Sequence, residues 1–370
     1  MKYLSTLALL LATTSLASAA SNNNESFILQ MGTANKGFVS QANGNNTQAT
    51  TQFGKRNTAV TTQNTQATGN ANSSTTFQNG SLNTSFTGQT GGNNVQSTVQ
   101  VGVGNTALTL QSNTAIDPNS SVTSQFGALN TSIAAQVGGT NTQTTTELGI
   151  GNTAATVQLN NVGGNENDSK TLQVGFGNTA VTVQNTAGPA GTTSGQGGVN
   201  TSTSLQFGAG NTAITGQNSV GTGQTAGLAQ SGVENNAPTL QVGTGNTAVT
   251  LQSGSSQGLQ GNQDINNSVT GQFGANNFAL ARQSIADPLG NTASNTSLIT
   301  QFGLGKGGNA AIVSQNDTGA QPMIGANTQT TLQVGTGNAA LTLQTASANL
   351  SNSSVTAQFG SHNAAVVVQH

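Results

Sequence analysis

The sequence predicts an all-β fold, a β-solenoid or cross-β stack of thirteen strand-arch-strand repeats, and three observations predict it. One polar skeleton, Asn-x5-Gln-x-Gly followed by Asn-x5-Gln, recurs from Asn24 to Gln369 with a period in the range of solenoids and arrays. Within each heptad the two amides are six residues apart, an even number, so a strand carries both on one face. A conventional core is not on offer, because hydrophobic residues are 33% of the chain, Trp is absent and the single Tyr is Tyr3.

The chain opens with a basic residue, Lys2, an apolar run from Leu7 to Ala12 and the small-residue ending Ala17-Ser18-Ala19. That pattern predicts a secretory signal peptide over residues 1–19, cleaved before Ala20, and the apolar run is too short for a membrane span. Residues 20–370 then form one array, with copies starting at Asn24, Asn46, Asn72, Asn94, Asn119, Asn141, Asn167, Asn200, Asn235, Asn266, Asn295, Asn327 and Asn352. No cysteine is present, so no disulfide staples an exported product.

Each copy reads as strand, arch, strand and return loop. In Asn246-Thr-Ala-Val-Thr-Leu-Gln252 one face carries Asn246, Ala248, Thr250 and Gln252, and the other carries Thr247, Val249 and Leu251. The amide face hardly varies between copies while the opposite face drifts among Thr, Val, Leu, Ile and Phe, so the uniform face is expected inside. Gln-x-Gly-x-x-Asn is too short for a helix and suits a tight arch in which glycine supplies positive φ. The arch glycines include Gly32, Gly54, Gly102, Gly208, Gly243, Gly335 and Gly360.

Rungs spaced by about 4.8 Å superpose like residues, so each amide can donate to one neighbour and accept from the other, as in cross-β ladders. Thirteen such rungs would rise about 60 Å. The ladder positions are Asn24, Gln30, Asn35 and Gln41 in the first copy, and Asn46, Gln52, Asn57 and Gln63 in the second. They continue through Asn94, Gln100, Asn105, Gln111, then Asn200, Gln206, Asn211, Gln217, and Asn235, Gln241, Asn246, Gln252. Asn327, Gln333, Asn338, Gln344 and Asn352, Gln358, Asn363, Gln369 close the array. Glu147 interrupts the first glutamine column with a group that, if ionised, can only accept; protonation, a lysine or water would relieve it.

Disorder is the competing reading of a Gln/Asn/Gly/Thr-rich chain with 4% charged residues. Disorder usually comes with high net charge, here only −2, and it gives no reason to hold spaced positions in register through thirteen copies.

The skeleton resembles the curlin repeat, the unit of the major and minor subunits of bacterial curli fibres, over nearly the whole mature chain. The resemblance implies an extracellular functional amyloid of biofilm matrix, adhesion and surface colonisation. It also implies a homopolymer partner, a minor nucleating subunit and an outer-membrane export pore with accessory proteins. This chain has more repeats than familiar curlins, starts each with Asn where the family often has Ser, and has only Ala20 to Asn23 before the first repeat. Its last repeat lacks Lys and Arg, which favours the major, fibre-building role.

The loops from each closing Gln to the next Asn lengthen in the second half, above all Asn185 to Val199 and Asn218 to Glu234. Such one-edge insertions read either as an interaction face or as tolerance of loop length. The eleventh copy carries three extra arch residues in Gln301-Phe-Gly-Leu-Gly-Lys306-Gly-Gly-Asn309, which predicts a bulge. Six phenylalanines (Phe53, Phe126, Phe207, Phe273, Phe302 and Phe359) follow the first ladder Gln, as a lateral seam or as cover for the arch.

Charges are scattered, and no basic stripe with interleaved aromatics points to nucleic acid. The two histidines, His362 and His370, and the lack of Cys leave no catalytic or metal-ligand constellation, so neither an enzyme nor a cofactor is expected. The alternative of another class is a monomeric surface- or ice-binding solenoid, suggested by the outward column Thr58, Thr84, Thr106, Thr131, Thr153, Thr179, Thr212 and Thr247. Val60, Phe86, Leu108 and Ile133 occupy the place of the second threonine column a flat recognition surface needs.

Overall fold

The computed structural model describes residues 24–65, 71–113, 118–160, 166–187, 198–221, 232–256, 263–287, 293–318, 325–347 and 351–370. The signal-peptide segment and most of the two longest return loops lie outside the described residues. Within them the chain is all β, as the sequence predicts, and builds two thirteen-stranded parallel sheets. One sheet takes the first strand of every copy in chain order, beginning with β1 (Glu25–Thr33) and β3 (Thr47–Lys55) and ending with β25 (Ser351–Ser361). The other takes the second strands, from β2 (Lys36–Ala42) and β4 (Thr58–Asn64) to β26 (Ala364–Gln369). Neither sheet closes on itself, and each strand pairs only with the equivalent strands of the copies before and after it.

The register follows the repeat residue for residue, so Gln30 stands beside Gln52, Gly32 beside Gly54 and Gln41 beside Gln63. Both sheets turn the amide face inward. In β3 the buried residues are Gln48, Thr50 and Gln52, and in β4 they are Ala59, Thr61 and Gln63. Small residues fill the middle of the second sheet's inner face, from Ala59 through Ala107, Ala154, Ala180, Ala213 and Ala248 to Ala340. Ser85 and Ser132 take the same place in their copies, so only small side chains stand there. An apolar cluster in the interior joins Ala279, Ala281, Ile299, Ala311 and Val313, where two threonine columns change to aliphatic residues on facing strands together. The outer faces carry half-exposed apolar columns, in which Phe273 stacks on Phe302 with ring centroids 4.9 Å apart.

Two details of the arch differ from the sequence expectation. The first strand does not stop at the ladder Gln but runs through the arch glycine to the next residue, Lys55 in the second copy. Glycine is needed there for contact as much as for φ. At φ between 97° and 129°, Gly303 of the eleventh copy excepted, it passes directly over the next arch glycine, and a Cβ on Gly54 would stand 1.9 Å from the Gly80 carbonyl oxygen. The reversal itself falls on the residue before the second Asn, which is left-handed in every copy but the eleventh, with φ between 56° and 68°. Gly104, Gly151, Gly177, Gly210, Gly245 and Gly337 serve there, but so do Ala34, Arg56, Leu82, Leu129, Asn276 and His362. An L-residue costs roughly 1–2 kcal/mol in that region. Arg56→Gly is therefore expected to raise stability by up to about 1 kcal/mol and Gly177→Arg to lower it similarly, read from denaturant midpoints.

The eleventh copy does bulge. Its first strand, Ser294–Gly303, ends early, the second begins at Ala310, and the intervening turn exposes Leu304 and Lys306. Gly308 then passes so close to Asn276 that a Cβ there would stand 1.6 Å from its carbonyl oxygen.

Candidate assembly interface

Four columns of amides run the length of the stack. In the first sheet Gln30 donates through Nε2 to Gln52 Oε1, Gln52 to Gln78 and Gln78 to Gln100, at 2.5 to 2.7 Å. The column resumes beyond Glu147 with Gln173 to Gln206 at 2.8 Å, runs through Gln206 to Gln241 at 2.7 Å and ends with Gln333 to Gln358 at 2.7 Å. In the second sheet it is unbroken, from Gln41 to Gln63 at 2.8 Å, through Gln111, Gln217 and Gln252, to Gln344 donating to Gln369 at 2.7 Å. The second Nε2 hydrogen crosses to a backbone carbonyl of the other sheet, Gln52 to Lys36 and Gln63 to Thr47, both at 3.1 Å. The second-sheet glutamines thereby tie their own rung shut, as Gln63 does, while those of the first sheet reach back to the rung before, as Gln52 does.

The asparagines do two different jobs. Those opening the repeats donate backwards: Asn46 to Asn24 at 3.0 Å, Asn235 to Asn200 at 2.8 Å, Asn327 to Asn295 at 2.8 Å, Asn352 to Asn327 at 3.0 Å. Those closing the arches clip it, as Asn57 Nδ2 reaches the Phe53 carbonyl and that of Gly80 on the next rung, each at 3.0 Å. Asn105, Asn211, Asn246, Asn338 and Asn363 repeat one or both of these contacts. Asn35 does the same at the first rung. Thr65 departs from the skeleton, its hydroxyl bridging Asn46 and Asn72 where a direct amide link would stand. Nothing in the repeat spacing marks Thr65, because it lies in a return loop.

The amides are buried along the stack and half-buried only at its two ends, at Asn24, Gln30 and Asn35 and at Asn352, Asn363 and Gln369. The arch glycines Gly32, Gly54, Gly102, Gly208, Gly243 and Gly335 all press on the next rung, whereas Gly360 has only Asn363 Nδ2 near it, at 3.8 Å. Among the described residues nothing pairs with the outer edges of β1 and β2 or of β25 and β26. An unpaired edge of this kind is a template for another chain.

The ladders also give these edges opposite polarity. In their amide-to-amide links the Gln columns point their donors toward the C-terminal end and the Asn columns toward the N-terminal end, although the arch asparagines also donate forward to the next glycine carbonyl. The last rung therefore offers Gln358 and Gln369 donors with Asn352 and Asn363 acceptors. The first rung offers the complementary Gln30 and Gln41 acceptors with the Asn24 donor, the two Nδ2 hydrogens of Asn35 being taken by the Met31 and Gly54 carbonyls.

Glu147 stands fully buried in the first column. Its Oε2 accepts from Gln125 Nε2 at 2.7 Å, but its Oε1 and the Oε1 of Gln173 on the next rung have no partner. Burial pushes its carboxyl up to about 8, opposed by the Gln125 hydrogen bond and by the Ala154 backbone. Burial also raises the carboxyl of Asp168, on the outer face, with Lys170 opposing the shift. Among the described residues no three His, Cys, Asp or Glu side chains are grouped to hold a metal ion. In comparison with known proteins, no family model and no curated protein matches this chain.

Proposed function

We propose that this chain is a secreted structural subunit that stacks end to end with copies of itself into extracellular curli-like amyloid fibres, serving biofilm matrix, adhesion and surface colonisation. The observation that carries the reading is the pair of open end rungs. Their donors and acceptors match when the C-terminal rung of one copy meets the N-terminal rung of the next, and clash when like ends meet. Addition of a copy extends both sheets and all four amide columns without any new kind of contact. The curlin-like skeleton supplies the biological setting, including the signal peptide, the nucleating minor subunit and the export pore. The self-contact rests on the geometry of the ends.

The chain from Ala20, diluted from denaturant, is expected to grow fibres that bind thioflavin, to lose its lag phase with preformed seeds, and to diffract near 4.8 Å and about 10 Å. A stable soluble monomer that seeds do not recruit would overturn the proposal and favour the surface-binding alternative.

A further inference from the structure

We propose that Glu147 enters the stack as the neutral acid, its hydroxyl donating to Gln173 Oε1, so that forming the sixth rung is a proton-uptake step. The residue lies on β11 (Asn141–Ile150), between β9 (Ser120–Ala128) and β13 (Glu166–Phe176) of its own sheet. Across the interior it faces β10 (Thr131–Val137) and β12 (Thr153–Asn160).

The geometry asks for a hydrogen between two particular oxygens. At every other junction of this column the incoming group is an amide, whose nitrogen donates to the oxygen of the next rung. At Glu147 the amide nitrogen is replaced by Oε1, which confronts Gln173 Oε1, and each is buried with no partner. Two facing acceptors repel, and the repulsion is unscreened because Glu147 and Gln173 are both fully buried. A carboxylic acid resolves this as no carboxylate can. Its carbonyl oxygen accepts from Gln125, as observed, and its O–H donates onward, so the acid occupies the place of a glutamine.

No neighbouring charge offers another remedy. β9, β10 and β12 carry no titratable side chain, and Glu166, Asp168 and Lys170 of β13 lie on its outer face, away from the interior. The proton comes from solvent while the chain is unfolded and is trapped as the seventh rung covers it. One hydrogen bond remains lost relative to glutamine, since an acid has a single hydrogen and cannot also reach across to the second sheet.

The sign follows from the raised carboxyl. Its value moves from 4.5 to about 8 on burial, so the stabilising effect of the proton is complete below 4.5 and is lost as pH rises to about 8. Across that window the folding constant of the wild-type chain is expected to fall by roughly a thousandfold from this group alone.

The test is denaturant unfolding of the full chain from Ala20 at pH 4.5 to 9, as monomer or as dissolving fibre, for wild type, Glu147→Gln and Glu147→Leu. Wild type should weaken steadily with pH through this window while Glu147→Gln stays level, the two diverging most at pH 8 and above. Glu147→Leu should also be level but weaker than Glu147→Gln throughout, since it lacks both charge and donor. An infrared carbonyl band of a protonated carboxyl at pH 6, lost in Glu147→Gln, should accompany the difference. Coincident pH profiles for wild type and Glu147→Gln, or absence of that band, would overturn the proposal. Because the readout is resistance to denaturant rather than fibre growth, a chain that folds but never polymerises tests it equally well.

Discussion

Gly208→Ala is expected to break the stack between its eighth and ninth rungs. The new Cβ would lie 1.9 Å from the carbonyl oxygen of Gly243, a backbone atom that the Asn211 amide of the same rung already holds at 3.0 Å. Gly208 also sits at φ +120°, a region in which a side chain costs on the order of 1–3 kcal/mol before any clash is counted. Strain and overlap together put the loss above about 3 kcal/mol, and the two halves of the array should unfold in separate denaturation steps. Gly360→Ala is the matching control, because its φ is +102° but among the described residues no further rung lies over it. It should cost only the backbone strain in the monomer and should block end-on growth. Equal stability losses for the two variants would mean that the arch column tolerates side chains and that the close glycine stacking has no energetic role.

Replacing Gln241 by Leu is expected to cost about 3–9 kcal/mol. Its Nε2 donates to Gln272 Oε1 at 2.8 Å and to the Thr212 carbonyl at 2.9 Å, while its Oε1 accepts from Gln206 at 2.7 Å. Leucine fills the same space but leaves three groups unmet, two of them in the buried glutamine column, each at about 1–3 kcal/mol. Gln206→Leu should behave alike. Thr212 and Thr247, on the outer face of the same rungs, should change stability by no more than about 0.5 kcal/mol when replaced by Val. Equilibrium unfolding of the four variants reads the contrast directly. Similar losses on both faces would show that the interior amides add nothing to stability beyond filling space.

The reason polar side chains can form this interior lies in the repeat. A buried amide is costly unless every donor and acceptor is met, and an irregular core rarely arranges that for dozens of amides together. A repeat with fixed spacing does so once and copies the solution, because the rung above supplies what the rung below lacks. The same logic makes single departures expensive, which is why Glu147 leaves two oxygens without partners and why the aliphatic exchange around Ile299 involves facing strands together.

Much of this was legible in the chain itself. The period, the even spacing of Asn and Gln, and the constant glycine determined an all-β array, its number of rungs and its in-register parallel pairing, because like residues can superpose only in one register. The extra residues of the eleventh arch likewise marked the place of its bulge. Other features needed the folded stack. Period two says which residues share a face, but only the packing of one sheet on the other turns the amides inward and leaves Thr58, Val60 and their column outside. The left-handed arch residue was veiled by Arg56, Leu82 and Leu129 standing where other copies have glycine, since tertiary closure can impose a strained φ on any side chain. The opposed directions of the Gln and Asn ladders, and hence the complementary ends, depend on which hydrogen of each amide is taken up by a backbone carbonyl. That choice exists only once strand, arch and facing strand are in place.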